Sequence, residues 1–335
     1  MKIVASAPGK VVVSGEYAVL VGAPALAAAI DRRVICTVGD TSVGGWTFQT
    51  HGFAPDARHP IAALLDGPTL APSEPAYLCQ YVLRQMRVVG LALDGLPAHL
   101  KLDIDSSAGF DGRRKLGIGT SAAVCTVLTG ALLALCGARH ETFPIAFAAH
   151  RAAQGGRGSG IDVAASCRGG LIRFEAAQPP RASRVGFPAG VSFAAIWTGA
   201  SADTREHVAQ FDAWRAGTIP DALRRLMDAA SHVADAVPDP AEFMRQLRAY
   251  AVTLQSLDDV AKLGIFSHSH RRLTDLAADH GVVYKPCGAG GGDLGMAFAI
   301  DARAVESFVR TASAAGFTRV PMELDEHGIT VGIEG

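Results

Sequence analysis

An α+β fold in two parts is what this sequence predicts, on three observations. The chain has 335 residues, long for one hydrophobic core, so two domains are expected. Hydrophobic residues make up 49% of it and glycine supplies 37 positions, the composition of a compact globular protein punctuated by loops. In each half, the order of strand-like and helix-like segments fits a sheet carrying helices on one side.

Residues 3–7 and 11–14 read as two short strands, broken by Pro8, Gly9 and Lys10. Gly22 and Pro24 mark a turn, and residues 27–38, β-branched toward their end, read as a longer strand. From 39 to 75 prolines accumulate and periodic apolar positions thin out, so loops and short strands are expected. Leu78, Val82, Met86 and Val89 recur at helical spacing, which predicts a helix over 76–89. Leu100, Leu102 and Ile104 alternate onto one face of a strand over 99–104. The polar stretch 105–114 leads to an apolar run at 122–135 that reads as a buried helix. Another helix is expected at 141–153 and a strand at 170–174, closing the first part. Gln178-Pro179-Pro180-Arg181 is the best linker, since two prolines suit an extended connection; a surface hairpin is the alternative. The division is therefore expected at 1–178 and 179–335. Beyond it, 191–197 reads as a strand, and most of 204–280 as helix interrupted at Gly217, Pro220, Pro238 and Pro240. Strands at 282–284, 294–300, 318–323 and 329–333, with a helix at 302–315, complete the chain.

A net charge of −1 gives no electrostatic case for nucleic acid or an anionic membrane as partner. The first residues enter a strand-like segment without a signal-like apolar stretch. The run 122–135, interrupted by Thr126, Thr129 and Gly130, is too short to span a bilayer comfortably. Six scattered cysteines form no C-x-x-C pair or metal-ligand cluster, and read as buried free thiols of a reducing cytoplasm.

Polar chemistry concentrates in small-residue loops. In Lys115-Leu116-Gly117-Ile118-Gly119-Thr120-Ser121-Ala122-Ala123, the glycines allow a tight turn and leave no Cβ to block an anion. Thr120 and Ser121 suit a helix start, where hydroxyls can satisfy free N–H groups. Such an opening aims N–H groups and the positive dipole end at its guest, naturally a phosphate. An ordinary glycine turn before a core helix is the alternative, and the G-x-x-x-x-G-K-[ST] pattern is absent. Lys10, between strands, is either a phosphate contact or a solvated surface lysine. Asp162, in apolar company after Gly158-Ser159-Gly160, is either an N-terminal helix carboxylate or a catalytic group. Asp293, after Gly290-Gly291-Gly292, favours a loop-stabilising role through side-chain to backbone bonds.

Together, Ala7-Pro8-Gly9-Lys10 with Gly15-Glu16-Tyr17-Ala18-Val19, then Gly117-Ile118-Gly119-Thr120-Ser121-Ala122-Ala123, then Lys285-Pro286-Cys287-Gly288-Ala289-Gly290-Gly291-Gly292-Asp293, resemble the three ordered motifs of the GHMP kinases. That family's name covers galactokinase, homoserine kinase, mevalonate kinase and phosphomevalonate kinase. The resemblance spans essentially the whole chain. Within the family it is strongest to bacterial-type phosphomevalonate kinases, on the stretch from His150 to Ala165, on Trp197-Thr198-Gly199 with Ala202 and Thr204, and on the triple glycine before Asp293. Two departures stand out: Gly-Ile-Gly-Thr-Ser replaces the commoner Gly-Leu-Gly-Ser-Ser, and Cys287 stands where serine is common.

The resemblance implies an N-terminal nucleotide-binding part and a C-terminal ferredoxin-like part, with the active site in the cleft between them. It implies ATP and Mg2+ as cofactors and 5-phosphomevalonate as the small-molecule acceptor. Another family acceptor, an alcohol such as mevalonate, and a catalytically inactive metabolite sensor are the alternatives. Lys10 and Asp162 fall on positions the family uses near the transferred phosphoryl group. Lys115, Gly117, Gly119, Thr120, Ser121 and Ala122 are expected around the ATP phosphates, with Ser121 also the metal contact; Glu16 and Asp105 are further carboxylates considered for Mg2+. Lys10, Tyr17, His150, Arg157, Ser159, Gly288, Ala289 and Gly290 are expected at the substrate, Arg157 gripping the phosphate the acceptor already carries. A cytoplasmic monomer or homodimer is expected.

Overall fold

The computed structural model describes residues 1–51, 54–112, 114–202 and 204–334. Two long strands, β1 (Lys2–Ser14) and β2 (Ala25–Gly39), pair antiparallel and form the spine of an eight-stranded sheet. Next in the chain come β3 (Gly45–Gln49), β4 (Ala57–His59), α1 (Ile61–Asp66), α2 (Tyr77–Val88) and β5 (His99–Asp105). The far half of β2 pairs with β5, which pairs in parallel with β3. Leu100, Leu102 and Ile104 are buried on one face of β5, as their alternation predicts. A small ribbon of β6 (Phe110–Asp111) and β7 (Arg114–Lys115) then leads into α3 (Thr120–Leu135), followed by α4 (Thr142–Ala153) and α5 (Ile161–Arg168).

β1 is continuous, although Pro8 and Gly9 predict a break. The pairing register shifts between Pro8 and Gly9, so a bulge absorbs the irregularity. Proline is tolerated there because β1's other neighbour pairs only with Lys2 to Ser6, leaving no ladder bond for Pro8 to donate.

β8 (Leu171–Glu175) pairs with the start of β2, and β9 (Arg181–Val185) pairs back on β8. Gln178 to Arg181 is therefore a hairpin turn and not the extended linker expected of its prolines. The second half continues through β10 (Ser192–Trp197), α6 (Thr204–Arg215), α7 (Asp221–Asp235), α8 (Pro240–Ala261), α9 (His268–Ala278), β11 (Val283–Pro286), β12 (Leu294–Ala299), α10 (Ala302–Ala314), β13 (Thr318–Val320) and β14 (Thr330–Glu334). Its four-stranded antiparallel sheet has the order β11-β12-β10-β13, the ferredoxin-like arrangement. The chain then returns to the first sheet, where β14 lies beside β1.

The first sheet departs from the one-sided reading at the β1–β2 end. Ala25 and Ala27 of β2 pack with Val163, Ala164 and Ala165 of α5. The alternate residues Leu26, Ala28 and Ile30 pack with Leu223, Leu226 and Ala230 of α7. A strand covered on both faces is apolar at every position, which is why residues 25–30 show no alternation. The layer holding α7 and α8 is one core shared by the two halves, so the loops between them meet at fixed geometry.

Candidate active site

The central loop ends in Gly119 at φ 75°, the N-cap of α3, and among the described residues no side chain caps that helix. Thr120 and Ser121 therefore do not act as caps. Among the described residues Thr120 Oγ1 is buried without a hydrogen-bond partner, and it packs onto Gly109. Ala122 N donates to Gly119 O at 3.0 Å, and among the described residues the N–H groups of Thr120 and Ser121 have no partner and stay open to an anion. Ser121 is exposed, and its Oγ lies 3.1 Å from Nε2 of His150, a side chain only 2% exposed. His150, expected at the substrate, is thus buried against the Ser121 hydroxyl.

Lys10 donates its backbone N–H to Ile118 O at 2.8 Å, which pins β1 to the central loop. Its side chain, 8% exposed, crosses Gly119: a Cβ there would stand 3.2 Å from Lys10 Cε and 3.3 Å from Asp162 Cβ. Asp162 sits in the first turn of α5, behind Gly160 at φ 81°, where Ser159 Oγ accepts from Ile161 N at 3.4 Å. Its Oδ1 accepts from Val163 N at 2.9 Å. Two helix N-termini, one ammonium and one carboxylate are thereby gathered around Gly119.

The third loop is strapped to β1. Tyr17 donates its hydroxyl to Ala289 O at 2.5 Å, and Val12 N–H donates to Cys287 Sγ at 3.2 Å. Cys287 is thus a structural acceptor, and burial pushes its thiol pKa up. Behind it, the fully buried Lys285 pairs with Glu16 and donates to Val12 O at 3.2 Å and Pro286 O at 2.9 Å. The other Glu16 oxygen accepts from Tyr250 OH at 2.7 Å. With both oxygens committed, Glu16 is not a free metal ligand; Asp105 accepts from Ser107 N at 2.9 Å. Asp293 reaches from this loop to the central one, its carboxylate lying on Gly117. The expected side-chain to backbone bond is present but long, 3.4 Å from Ala202 N to Oδ1.

Lys10, Tyr17, Ser159, Asp162, Gly288 and Ala289 line one cavity of about 160 Å³. Thr204, Val208 and Gln154, not expected at the site, share it. Ser159 and its neighbour Gly158 also belong to an adjoining cavity of about 260 Å³ that Arg157 lines. Gly290 packs onto Ile265 and lies outside both cavities, as do Lys115, exposed on β7, and the buried Ala122. Among the described residues no three His, Cys, Asp or Glu side chains form a metal-binding group. The apolar surroundings of Lys285 in Val282-Val283-Tyr284-Lys285-Pro286 were the signal for the buried pair, because a buried ammonium requires a partner.

The family profile described as GHMP kinases N terminal domain matches residues 80–170. A phosphomevalonate kinase from a Streptomyces species is 32% identical, across 90% of this chain and 91% of that protein. The chain belongs to the GHMP kinase family. A mevalonate kinase from Methanothermobacter thermautotrophicus is 30% identical, across 70% of this GHMP kinase and 69% of its own length. The solved structure of Streptococcus pneumoniae phosphomevalonate kinase in complex with phosphomevalonate and AMPPNP shares the fold at a TM-score of 0.77 and 20% identity, covering 96% of this GHMP kinase and 99% of that chain. The family is one of phosphotransferases, and among the described residues no helix of this member is long and apolar enough to cross a membrane.

Proposed function

We propose that this GHMP kinase transfers the γ-phosphoryl group of ATP to 5-phosphomevalonate, yielding 5-diphosphomevalonate and ADP, as a cytoplasmic enzyme. The observation that carries the reading is the meeting of Lys10, Asp162 and the uncapped start of α3 around Gly119. Similarity to a phosphomevalonate kinase along nearly the whole chain supports the acceptor.

Phosphoryl transfer depends on positioning and charge neutralisation more than on covalent chemistry. The N–H groups opening α3 would hold the ATP phosphates, and Lys10 would neutralise charge developing between donor and acceptor. Mg2+ is held by few protein groups alongside phosphate oxygens, so a site offering the exposed Ser121 hydroxyl and the Asp162 carboxylate beside Gly119 fits it. When bound, it would neutralise charge on the β- and γ-phosphates. An oxygen of the acceptor phosphate forms the new bond to the γ-phosphorus, and the bond from that phosphorus to the β-bridging oxygen breaks. A phosphate monoester has a second pKa near ~6 and is largely dianionic at neutral pH, so the nucleophile needs no strong base. Asp162 then orients Lys10 and the acceptor.

Similarity to a mevalonate kinase favours a second reading, in which the acceptor is an alcohol and Asp162 takes its proton. A coupled assay of ADP release with mevalonate, 5-phosphomevalonate and 5-diphosphomevalonate separates them. Turnover of mevalonate at or above that of 5-phosphomevalonate would overturn the first reading.

A further inference from the structure

The small cavity holding Lys10 and Asp162 does not end blindly. Val19, Leu20, Gly158, Ser159 and Val208 form a wall common to it and to the neighbouring cavity of about 260 Å³. That outer cavity is lined by three guanidinium groups, Arg151, Arg157 and Arg215, against a single carboxylate, Asp212. Arg215 already pairs with Asp212 at 3.0 Å and lies over the Phe211 ring. Arg151 spends its Nε on Gly156 O at 3.0 Å, leaving its two terminal nitrogens. Arg157 is exposed and has no hydrogen bond or ion pair among the described residues. The cavity therefore carries uncompensated positive charge beside an apolar strip of Val19, Leu20, Phe147 and Val208.

The chemistry of the reaction assigns this charge. In phosphorylation of a phosphate monoester, the acceptor phosphate is itself the nucleophile, so it must lie beside Lys10 and Asp162. Arg157 lines a different cavity, and what reaches it is the other end of the acceptor. We propose that the outer cavity is a second anion subsite that binds the acceptor's carboxylate, with Arg157 as its principal contact and Arg151 beside it. A guanidinium fork matches a carboxylate in two parallel hydrogen bonds, and the apolar strip accommodates the methyl-bearing carbon chain between the two anionic ends. This sorts the substrate's ends: phosphate inward at Lys10, carboxylate outward at Arg157. It rests on the proposed acceptor class, a short hydroxy acid, and makes the acid group a specificity requirement.

The test compares 5-phosphomevalonate with its C1 carboxamide, which keeps the phosphate and removes the charge. Arg157→Ala should raise KM for the acid by about 10- to 150-fold, the loss expected of one charge-assisted contact, with KM for ATP little changed. For the carboxamide the same variant should change KM by less than about threefold, and Arg157→Lys should recover part of the loss with the acid. Equal KM losses for acid and carboxamide, or unchanged KM for both in Arg157→Ala and in Arg151→Ala/Arg157→Ala, would overturn the subsite. Melting curves of the exposed-residue variants verify the fold. If the unmodified enzyme instead phosphorylates mevalonate, the acceptor assignment fails separately, and mevalonate against mevalonamide reads the same subsite by the same criteria.

Discussion

The carboxylate of Asp293 lies directly on Gly117: a Cβ built on that glycine would stand 2.7 Å from Asp293 Oδ2. The two residues come from opposite halves of the chain and both occupy left-handed backbone, φ 72° for Gly117 and 52° for Asp293. The third loop is thereby seated on the central one, with Asp293 N donating to Ala200 O at 2.7 Å and Thr198 N to Asp293 O at 3.0 Å. Gly117→Ala must displace the carboxylate and also hold alanine in an unfavourable conformation, costing about 1–2 kcal/mol from the backbone alone. Nucleotide KM should rise, and Tm should fall by a few degrees. Gly119→Val, whose side chain would meet Lys10 and whose β-branch is strained at φ 75°, should weaken nucleotide binding and lower Tm at least as much. Isothermal titration with AMPPNP checks both, and unchanged affinity would remove this loop from the phosphate site.

Asp293 itself titrates in a direction that can be tested. Burial raises its pKa, against the lowering influence of Lys115, Lys10 and His207. A carboxylate with a raised folded-state pKa costs stability when ionised, and that cost is relieved as pH falls through the folded value. Asp293→Asn should therefore stabilise the nucleotide-free protein at pH 7, by an increment that shrinks toward acid pH. Denaturant midpoints measured across pH 4–8 follow it; an increment that grows toward acid pH would contradict the assignment.

Lys10→Met and Asp162→Asn should each lower kcat far more than Tm. Because both side chains pack on Gly119, their losses should be strongly non-additive, the double variant being little slower than the worse single one. Multiplicative losses would mean that the two act separately.

Much of this site was legible because glycine and charge patterns are local. Gly117, Gly119 and Gly160 do adopt positive φ, and Lys10 and Asp162 do converge. The illegible parts are products of tertiary contact. Thr120 looks like a cap, but Gly119 takes the cap position and the Thr120 hydroxyl turns toward Gly109. Arg157 reads as a phosphate contact in sequence, but that it shares a cavity with the β8–β9 turn and α6 has no local signal. The two prolines at Pro179 and Pro180 suit an extended link equally well as a hairpin turn, and only the pairing of Leu171 with Val185 through Glu175 with Arg181 decides between them. That the chain's last strand would return to β1 has no local signal at all.

His270 predicts an acid-labile third loop. Its ring lies between Tyr284 OH, 2.9 Å from Nδ1, and Gly292 O, 3.1 Å from Nε2, fully buried. Burial lowers its pKa from 6.5 to about 4, with the nearby Lys285 adding to the lowering. The unfolded chain thus binds a proton more readily between those values, so stability is full above about pH 6.5 and is lost as pH falls toward 4. The loss is of order 3 kcal/mol. Urea midpoints in wild type and His270→Gln should converge across this window, and a parallel pH dependence in the two proteins would exclude His270 as the cause.

The buried pair of Lys285 and Glu16 makes the sharpest stability prediction. Neither side chain has access to water, and the Glu16 carboxylate is also held by Tyr250 OH, which in turn accepts from Gly15 N at 2.9 Å. Lys285→Met removes the ammonium but leaves a carboxylate in the core, so it should cost about 3–5 kcal/mol. Glu16→Gln alone strands the ammonium and should cost a similar amount. The double variant removes both charges, and its loss should be well below the sum, with a coupling of several kcal/mol in a double-mutant cycle. The pair also anchors β1 two residues along the strand from Lys10, through the Lys285 bond to Val12 O. Lys285→Met should therefore lower kcat beyond what its unfolded fraction explains, and the double variant should recover stability more completely than turnover. Guanidinium denaturation and kcat on the same preparations separate the two effects; additive stability losses would show that the pair contributes no net attraction.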